Sequence, residues 1–150
     1  MAILEQLELR VAAETDLIQV CAIEEASFSS AWSLDFFRHE LHNPVSRFFV
    51  AAHENQVVGY VVFWVVADQA HIANIAVHPD FRRQGIGDFL CQVACETARE
   101  SGAVSITLEV NENNHPAIEL YQRMNFRMVG RRKKYYENRD DALILTRVLN

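Results

Sequence analysis

The stretch HPDFRRQGIGDFLCQVACETARESG, residues 78–102, decides how the rest of the chain is interpreted. Gly85 and Gly87 lie two positions apart, directly after two arginines, between a strand-like run and a run with helical spacing. N–H groups at a helix N-terminus lack partners within the helix and carry partial positive charge. Glycines placed before them let an anion approach the backbone closely. The stretch therefore predicts a phosphate-binding loop, with a plain tight turn and solvated arginines as the alternative.

Two familiar phosphate motifs are excluded by the residues that follow these glycines. A nucleotide P-loop needs Lys and then Ser or Thr after its last glycine, and here Asp88 and Phe89 follow. A dinucleotide-binding fingerprint needs a third glycine where this chain has Leu90. ATP and NAD are therefore poor candidates for the anion.

Length and composition predict one globular domain over residues 1–150. The chain has 150 residues, half of them hydrophobic, which suits a single core. The longest apolar run, Tyr60 to Ala67, is too short to span a bilayer. The N-terminus has no basic region before an apolar core, so no signal peptide is predicted. We expect a cytoplasmic protein, monomeric and without a membrane partner.

The charge is acidic overall but uneven. The formal net charge of -6 argues against general nucleic-acid binding. Six of the 14 basic residues nevertheless fall within a short segment: Arg123, Arg127, Arg131, Arg132, Lys133 and Lys134. A solvated strand edge is the favoured interpretation, because lysines there discourage aggregation. A patch for an anionic ligand or partner is the alternative.

The cysteines and histidines do not form a metal-binding pattern. Cys91 and Cys95 share one helix face, and Cys21 is distant in sequence. A zinc site needs more Cys or His ligands at short spacing. We expect small, buried, apolar cysteines and no catalytic metal.

Periodicity predicts the order β-α-α-β-β-β-α-β-α-β-β. This is a mixed α/β fold with a mostly antiparallel sheet and one β-α-β crossover. Ser33 is the expected N-cap of the second helix, and Gly102 and Asn125 are expected to take left-handed conformations after helices. The strands are predicted in QLELRVA, RFFVAAH, QVVGYVVFWVVA, AHIANIAV, VSITLEV, FRMVGRRKKYY and ALILTRVL, and the helices over 14–25, 34–42, 87–101 and 116–124.

The segment NIAVHPDFRRQGIG, residues 74–87, resembles the acetyl-CoA signature of the GCN5-related N-acetyltransferases. Arg82, Gly85 and Gly87 occupy its fixed positions, and the predicted order of elements is that of the same fold. Together with LEVNENNHPAIELYQRMNF and GRRKKYYENRDDALIL, it resembles the bacterial ribosomal-protein N-terminal alanine acetyltransferases. The chain departs from that pattern at Ala31, where proline is usual, and at Asn113 and Asn125.

The resemblance implies acetyl-CoA as co-substrate and assigns residues to it. The backbone of Ile75, Ala76 and Val77 is expected along the acetyl and pantetheine arm, with one N–H donating to the thioester carbonyl. Asn114 is expected to contact the same arm. The pyrophosphate is expected on Arg83, Gln84, Gly85, Ile86, Gly87 and Asp88.

The resemblance also implies the catalytic pair. Glu109, at the end of SITLEV, is the expected general base, acting directly or through a water. Tyr121 is the expected acid, because a phenol with an ordinary pKa of about 10 is protonated at neutral pH. Without the resemblance, Glu109 reads as an outward strand residue and Tyr121 as a helix aromatic packed on the sheet.

The acceptor is expected to be the N-terminal α-amino group of a protein, in this family the alanine of ribosomal protein S18. Trp32, Tyr135 and Tyr136 are its expected walls, with ordinary packing as the alternative; strand alternation predicts one tyrosine in the slot and the other in the core. Three other functions stay open. They are acetylation of a lysine or small amine, non-catalytic CoA sensing, and ribosome binding through residues 127–136.

Overall fold

Residues 2–150, the part of the chain that the computed structural model describes, form seven strands and four α-helices. The strands are β1 (Glu8–Val11), β2 (Ser46–His53), β3 (Gln56–Val66), β4 (Gln69–Val77), β5 (Ser105–Asn111), β6 (Arg127–Tyr136) and β7 (Asp140–Val148). The helices are α1 (Leu17–Ser27), α2 (Leu34–His42), α3 (Ile86–Glu100) and α4 (His115–Arg123). This order confirms the predicted one.

All seven strands join one sheet in the order β1-β2-β3-β4-β5-β7-β6. Neighbouring strands are antiparallel except β4 and β5, which are parallel and connected through α3. The predicted fold class, with its single β-α-β crossover, is confirmed.

The central position of β3 follows from its sequence. Residues 57–63 are buried on both faces of the sheet, as expected for a strand without polar alternation. On one face, α1 and α2 cover β3 through Leu17, Ile23 and Phe37. On the other face, α3 and α4 contribute residues such as Leu90 and Tyr121 to a second core.

Several local signals form as predicted. Ser33 caps α2 by accepting a hydrogen bond from the Phe36 N–H at 3.1 Å. Gly102 and Asn125 take left-handed conformations at φ 96° and 68°, which end the preceding helices. Cys91 and Cys95 are buried in α3, as expected, whereas Cys21 in α1 is only partly buried.

The first helix differs from its prediction at both ends. A short 3-10 turn, Glu14–Asp16, precedes α1, which then continues to Ser27. The Asp16 carboxylate causes the tight start, because it accepts from the Ala13 N–H at 2.8 Å and from both terminal nitrogens of Arg10 at 2.6 and 2.8 Å.

The feature of the sheet that creates a site is the early separation of β4 from β5. The two strands pair only between 69–71 and 105–107. The register of β3 against β4 shifts between Val62–Asn74 and Phe63–Ile72, so Ala73 is an extra residue in a β-bulge. Beyond the bulge the strands diverge and leave an opening between them.

Two features are absent from residues 2–150. No helix there is long and apolar enough to cross a membrane. No group of three or more His, Cys, Asp or Glu side chains in the same residues is arranged to hold a metal ion.

Candidate active site

A cleft of about 940 Å³ runs through the opening between β4 and β5. Its floor consists of residues 71–75 and 108–111, and residues of α4 close one side. The α1–α2 loop and the β6–β7 hairpin border the other side. The cleft thus lies between the separated strands, with α4 on one side and the two loops on the other.

Alternation along β4 determines which backbone groups face this opening. The His78 N–H donates to the Val58 carbonyl at 2.8 Å, so the backbone groups of every second residue, including Ala76, point toward β3. The groups of Ile75 and Val77 therefore point toward the open side. Of the three residues predicted along the cofactor arm, Ile75 and Val77 direct their N–H and C=O groups to the open side, whereas Ala76 uses its own in the sheet. Two of these groups have side-chain partners, because Asn74 Oδ1 accepts from the Ile75 N–H and Arg82 donates to the Val77 carbonyl.

The glycine loop has a concave backbone. Arg83 and Gly85 both have positive φ, 62° and 84°, and α3 begins immediately afterwards at Ile86. Alternating conformations of this kind direct successive N–H groups to one side and form an anion-binding nest. A Cβ on Gly87 would lie 2.8 Å from the Leu120 side chain, so glycine permits α4 to approach the loop.

The charged side chains around the loop have separate partners. The Arg82 guanidinium donates to the Val77 carbonyl and to the Ser27 hydroxyl, both at 3.0 Å, and so braces the loop against α1. The Asp88 carboxylate accepts from Arg123 at 2.9 Å, so α4 neutralises the acidic charge at the start of α3. Gln84 and the Arg83 side chain are exposed beside the nest.

Glu109 lies in the cleft and is held by a histidine. Its Oε2 lies 2.5 Å from His71 Nε2, and its Oε1 lies 3.7 Å from Arg132 Nη2. The hydrogen bond from His71 is the largest cause of a lowered pKa for the Glu109 carboxyl, opposed by burial. The carboxylate is therefore ionised at neutral pH and can accept a proton.

His71 was missed by the sequence reasoning. Its ring stacks on Trp64 at 5.4 Å, and the Trp64 Nε1–H donates to Glu40 at 2.5 Å. The available signal was that His71, like Asn74, is a polar residue in the largely apolar run AHIANIAV. Its partner could not be identified, because the pair is separated by 38 positions and depends on the β4–β5 register.

Tyr121 also faces the cleft, from α4. Its ring packs edge-on against Phe126 at 5.5 Å, and the residue is 6% exposed. Burial raises the pKa of Tyr121 well above its ordinary value, so the phenol keeps its proton. Tyr121 therefore both packs its ring in the core and lines the cleft.

Asn114 lies at the same end of the cleft. Its side-chain oxygen caps α4 by accepting from the Ala117 N–H at 3.3 Å. This cap orients α4, and thereby Tyr121, toward the opening.

The side of the cleft between the two loops carries the aromatic residues that were predicted to border the acceptor. Trp32 lines it from the α1–α2 loop, and its ring lies 4.2 Å from that of Phe36. Tyr135 and Tyr136 both line it, with ring centroids 5.0 Å apart. The expected division of the two tyrosines between slot and core is wrong, because Lys134 has a positive φ of 52° and the register shifts there, which breaks the strand alternation.

The two loops on this side of the cleft touch. The Ser30 hydroxyl donates to Glu137 Oε1 at 3.0 Å, across 107 positions of sequence. This contact narrows the entrance to the space between the aromatic residues.

The basic segment, apart from Arg123 at the end of α4, lies on β6, which is an edge strand as expected. Two arginines of β6 have acidic partners. Arg131 pairs with Glu112 at 3.0 Å and with Asp141 at 2.8 Å, and Arg132 approaches Glu109 and lies 5.4 Å from the Tyr135 ring. Part of the positive charge is therefore balanced within the fold.

Similarity to known proteins identifies the family. The model of the acetyltransferase (GNAT) family matches residues 17–126. The chain belongs to the acetyltransferase (GNAT) family.

Individual relatives agree with this assignment. A Bacillus subtilis (strain 168) protein, a candidate ribosomal protein bS18-alanine N-acetyltransferase, is 40% identical over 90% of this chain and 91% of its own. An N-alpha-acetyltransferase of Sulfolobus acidocaldarius is 32% identical over 92% and 90%. The crystal structure of the Escherichia coli ribosomal-protein-S18-alanine N-acetyltransferase superimposes with a TM-score of 0.88, at 28% identity over 96% and 94%.

As a GNAT protein, the chain is an N-acetyltransferase, and the family uses acetyl-CoA. The observed cleft fits that co-substrate. The nest at residues 83–88 suits a pyrophosphate, and the unpaired edge of β4 at Ile75 and Val77 suits an extended amide-containing arm.

Proposed function

We propose that this protein transfers the acetyl group of acetyl-CoA to the N-terminal α-amino group of a protein, with the N-terminal alanine of ribosomal protein S18 as acceptor. The observation that carries the proposal is the arrangement around the β4–β5 opening. Glu109, held by His71, faces the mouth bordered by the two loops, and the glycine loop lies toward α3. The relatives named for S18 acetylation support the acceptor, which also fits a cytoplasmic protein.

Binding of acetyl-CoA is assigned to the backbone. The N–H groups of residues 83–88 would receive the pyrophosphate, and Ile75 and Val77 would pair with the pantetheine arm. Asn114 lies beside that arm. When bound, acetyl-CoA supplies an activated acetyl carbon. An N–H of β4 that donates to its carbonyl oxygen stabilises the charge that develops there.

Proton transfers are assigned to Glu109 and Tyr121. An α-amino group has a pKa of about 7.7–8.0, so roughly 10–20% is already neutral at pH 7. A lysine amine, with a pKa of about 10.4, is neutral in roughly one molecule in a few thousand. Glu109, with its lowered pKa, accepts the proton as the amine nitrogen becomes acidic during attack. Tyr121 donates to the departing sulfur.

The acceptor chain would extend between Trp32 and the pair Tyr135–Tyr136. The contact between Ser30 and Glu137 narrows the entrance, which suits the extended N-terminus of a peptide. The oriented Glu109 disfavours a purely CoA-sensing role. The internal pairing of Arg131 and Arg132 disfavours ribosome binding as the primary activity.

The test measures CoA release with three basic peptides of equal length. The first begins with a free alanine and contains arginine in place of lysine, the second is its N-acetylated form, and the third is N-acetylated and contains one lysine. We expect turnover with the first peptide only. Turnover with the third and not the first would assign the enzyme to lysine. Tight CoA binding without turnover on any amine would support the sensor.

The natural acceptor is tested by N-terminal mass spectrometry of proteins from cells with and without this enzyme. We expect ribosomal protein S18 to lose its N-terminal acetyl group when the enzyme is absent. An unchanged S18 terminus together with loss of acetylation elsewhere would reassign the acceptor.

A further inference from the structure

Glu24 is a buried carboxylate that the mechanism above does not use. It belongs to the last turn of α1, is 1% exposed and borders the cleft. Three donors converge on it: the Trp32 N–H at 2.9 Å, the Tyr60 hydroxyl and the Asn74 side-chain amide. Burial raises the pKa of the Glu24 carboxyl, and the hydrogen bonds from the three donors oppose that rise because they favour the ionised form.

Two of these donors lie beside different substrates, one beside the proposed acceptor site and the other beside the proposed thioester site. The Trp32 N–H lies in the α1–α2 loop, which borders the proposed acceptor site. Asn74 lies in β4, next to the bulge and one residue before Ile75. Glu24 therefore links the loop that borders the acceptor to the strand expected to bind the thioester.

The link extends to the backbone of Ile75. Asn74 Oδ1 accepts a hydrogen bond from the Ile75 N–H at 3.2 Å, while Asn74 Nδ2 donates to Glu24. Glu24 thus fixes which end of the Asn74 amide faces Ile75. The Ile75 N–H points into the opening and has no ladder partner on β5, where pairing ends at His71.

We propose that Glu24 is a positioning residue that acts through Asn74 to hold the Ile75 N–H at the thioester site and couples it to the acceptor loop. Asn74 Oδ1 accepts the hydrogen bond from the Ile75 N–H until the thioester carbonyl oxygen takes its place as the acceptor. This inference rests on the proposed function only for the location of the thioester carbonyl. The link through Asn74 can be measured without any acceptor.

The test exchanges the carboxylate and the amide between positions 24 and 74, first one position at a time and then both together. In Asn74→Asp, a second carboxylate faces Glu24, and repulsion displaces it. In Glu24→Gln, the new side-chain NH2 group faces a donor that the carboxylate accepted from, so two donors oppose each other. In the double variant, Gln at 24 can accept from the Trp32 N–H and donate to Asp at 74, which restores the donor–acceptor pairs. Tyr60→Phe is the matched control, because it removes one donor and leaves both other links.

We expect kcat to fall about tenfold or more in each single variant. In the double variant we expect recovery to within about threefold of wild type, with the Kd for CoA unchanged throughout. Tyr60→Phe should lower Tm and leave kcat unchanged. A double variant no more active than its weaker parent, or an equal loss of kcat in Tyr60→Phe, would overturn the proposal.

An NMR measurement separates this link from the acceptor assignment. In the protein without ligands, the Ile75 amide resonance should shift and its hydrogen exchange should accelerate in Asn74→Asp and Glu24→Gln, and both should return in the double variant. An unchanged Ile75 amide in the single variants would refute the link, whether or not the wild type acetylates an alanine peptide.

Discussion

His71 Nε2 lies 2.5 Å from Glu109 Oε2. His71 belongs to the last residue pair that joins β4 to β5, and Glu109 lies two residues beyond that pair on β5. The contact fixes the carboxylate where the two strands separate. It also lowers the pKa of Glu109, so the group is ionised throughout the range in which an α-amino group titrates.

Glu109→Gln removes the proposed proton acceptor and retains the shape of the side chain. We expect kcat to fall about 100-fold, with the Kd for CoA unchanged, because general-base catalysis contributes on this scale. Steady-state kinetics and calorimetry provide the two values. Glu119→Gln, on the outer part of α4, is the control. Normal turnover in Glu109→Gln would remove this residue as the base.

His71→Ala tests the orientation of the carboxylate. Without the histidine the pKa of Glu109 should rise toward its ordinary value of 4.5, and kcat should fall about tenfold. Carbon-13 NMR of the glutamate carboxyls measures the pKa. His39→Ala, an exposed change on α2, should alter neither quantity. An unchanged Glu109 pKa in His71→Ala would show that the contact does not control its ionisation.

Tyr121→Phe retains the ring against Phe126 and removes the hydroxyl that is the proposed proton donor. We expect a loss of about 100-fold in kcat and little change in Tm. A leaving group more acidic than the CoA thiol needs less protonation, so an activated acyl thioester should recover part of the rate. A large fall in Tm with normal kcat would indicate a packing role alone.

Gly85→Ala and Gly102→Ala form a matched pair for the glycine loop. Both glycines have positive φ, at 84° and 96°, so alanine should cost each position about 1 kcal/mol of stability. Gly102 has open space around it and lies at the far end of α3. CoA affinity should therefore fall only in Gly85→Ala. An equal loss of affinity in both would assign the effect to stability.

Asp16→Asn tests the buried ion pair at the start of α1. Arg10 holds the pKa of Asp16 below its ordinary 3.8, so this contribution is present above that pH and is lost as the pH falls through the lower, folded-state value. At pH 7 we expect a loss of about 2 kcal/mol in unfolding free energy, and a smaller difference at pH 3. Denaturant unfolding measures both. Glu14→Gln, in an exposed pair with Arg38, should cost under about 0.5 kcal/mol.

Much of this protein follows from local sequence. The element order, the Ser33 cap, the left-handed Gly102 and Asn125, and the central position of β3 all depend on spacing within one segment. The glycine loop belongs to the same class, since the prediction of an anion site there rests only on two glycines and two arginines at the start of a helix.

The tertiary structure alone decided the contacts that join distant segments. His71 meets Glu109 only because β4 and β5 pair for three residues and then separate. Tyr135 and Tyr136 share one cleft only because a kink at Lys134 breaks their alternation. Glu24 contacts Trp32 and Asn74 because α1 packs against the sheet at β4. Sequence periodicity specifies which face of an element is buried, whereas register, bulges and packing between elements determine which polar groups meet.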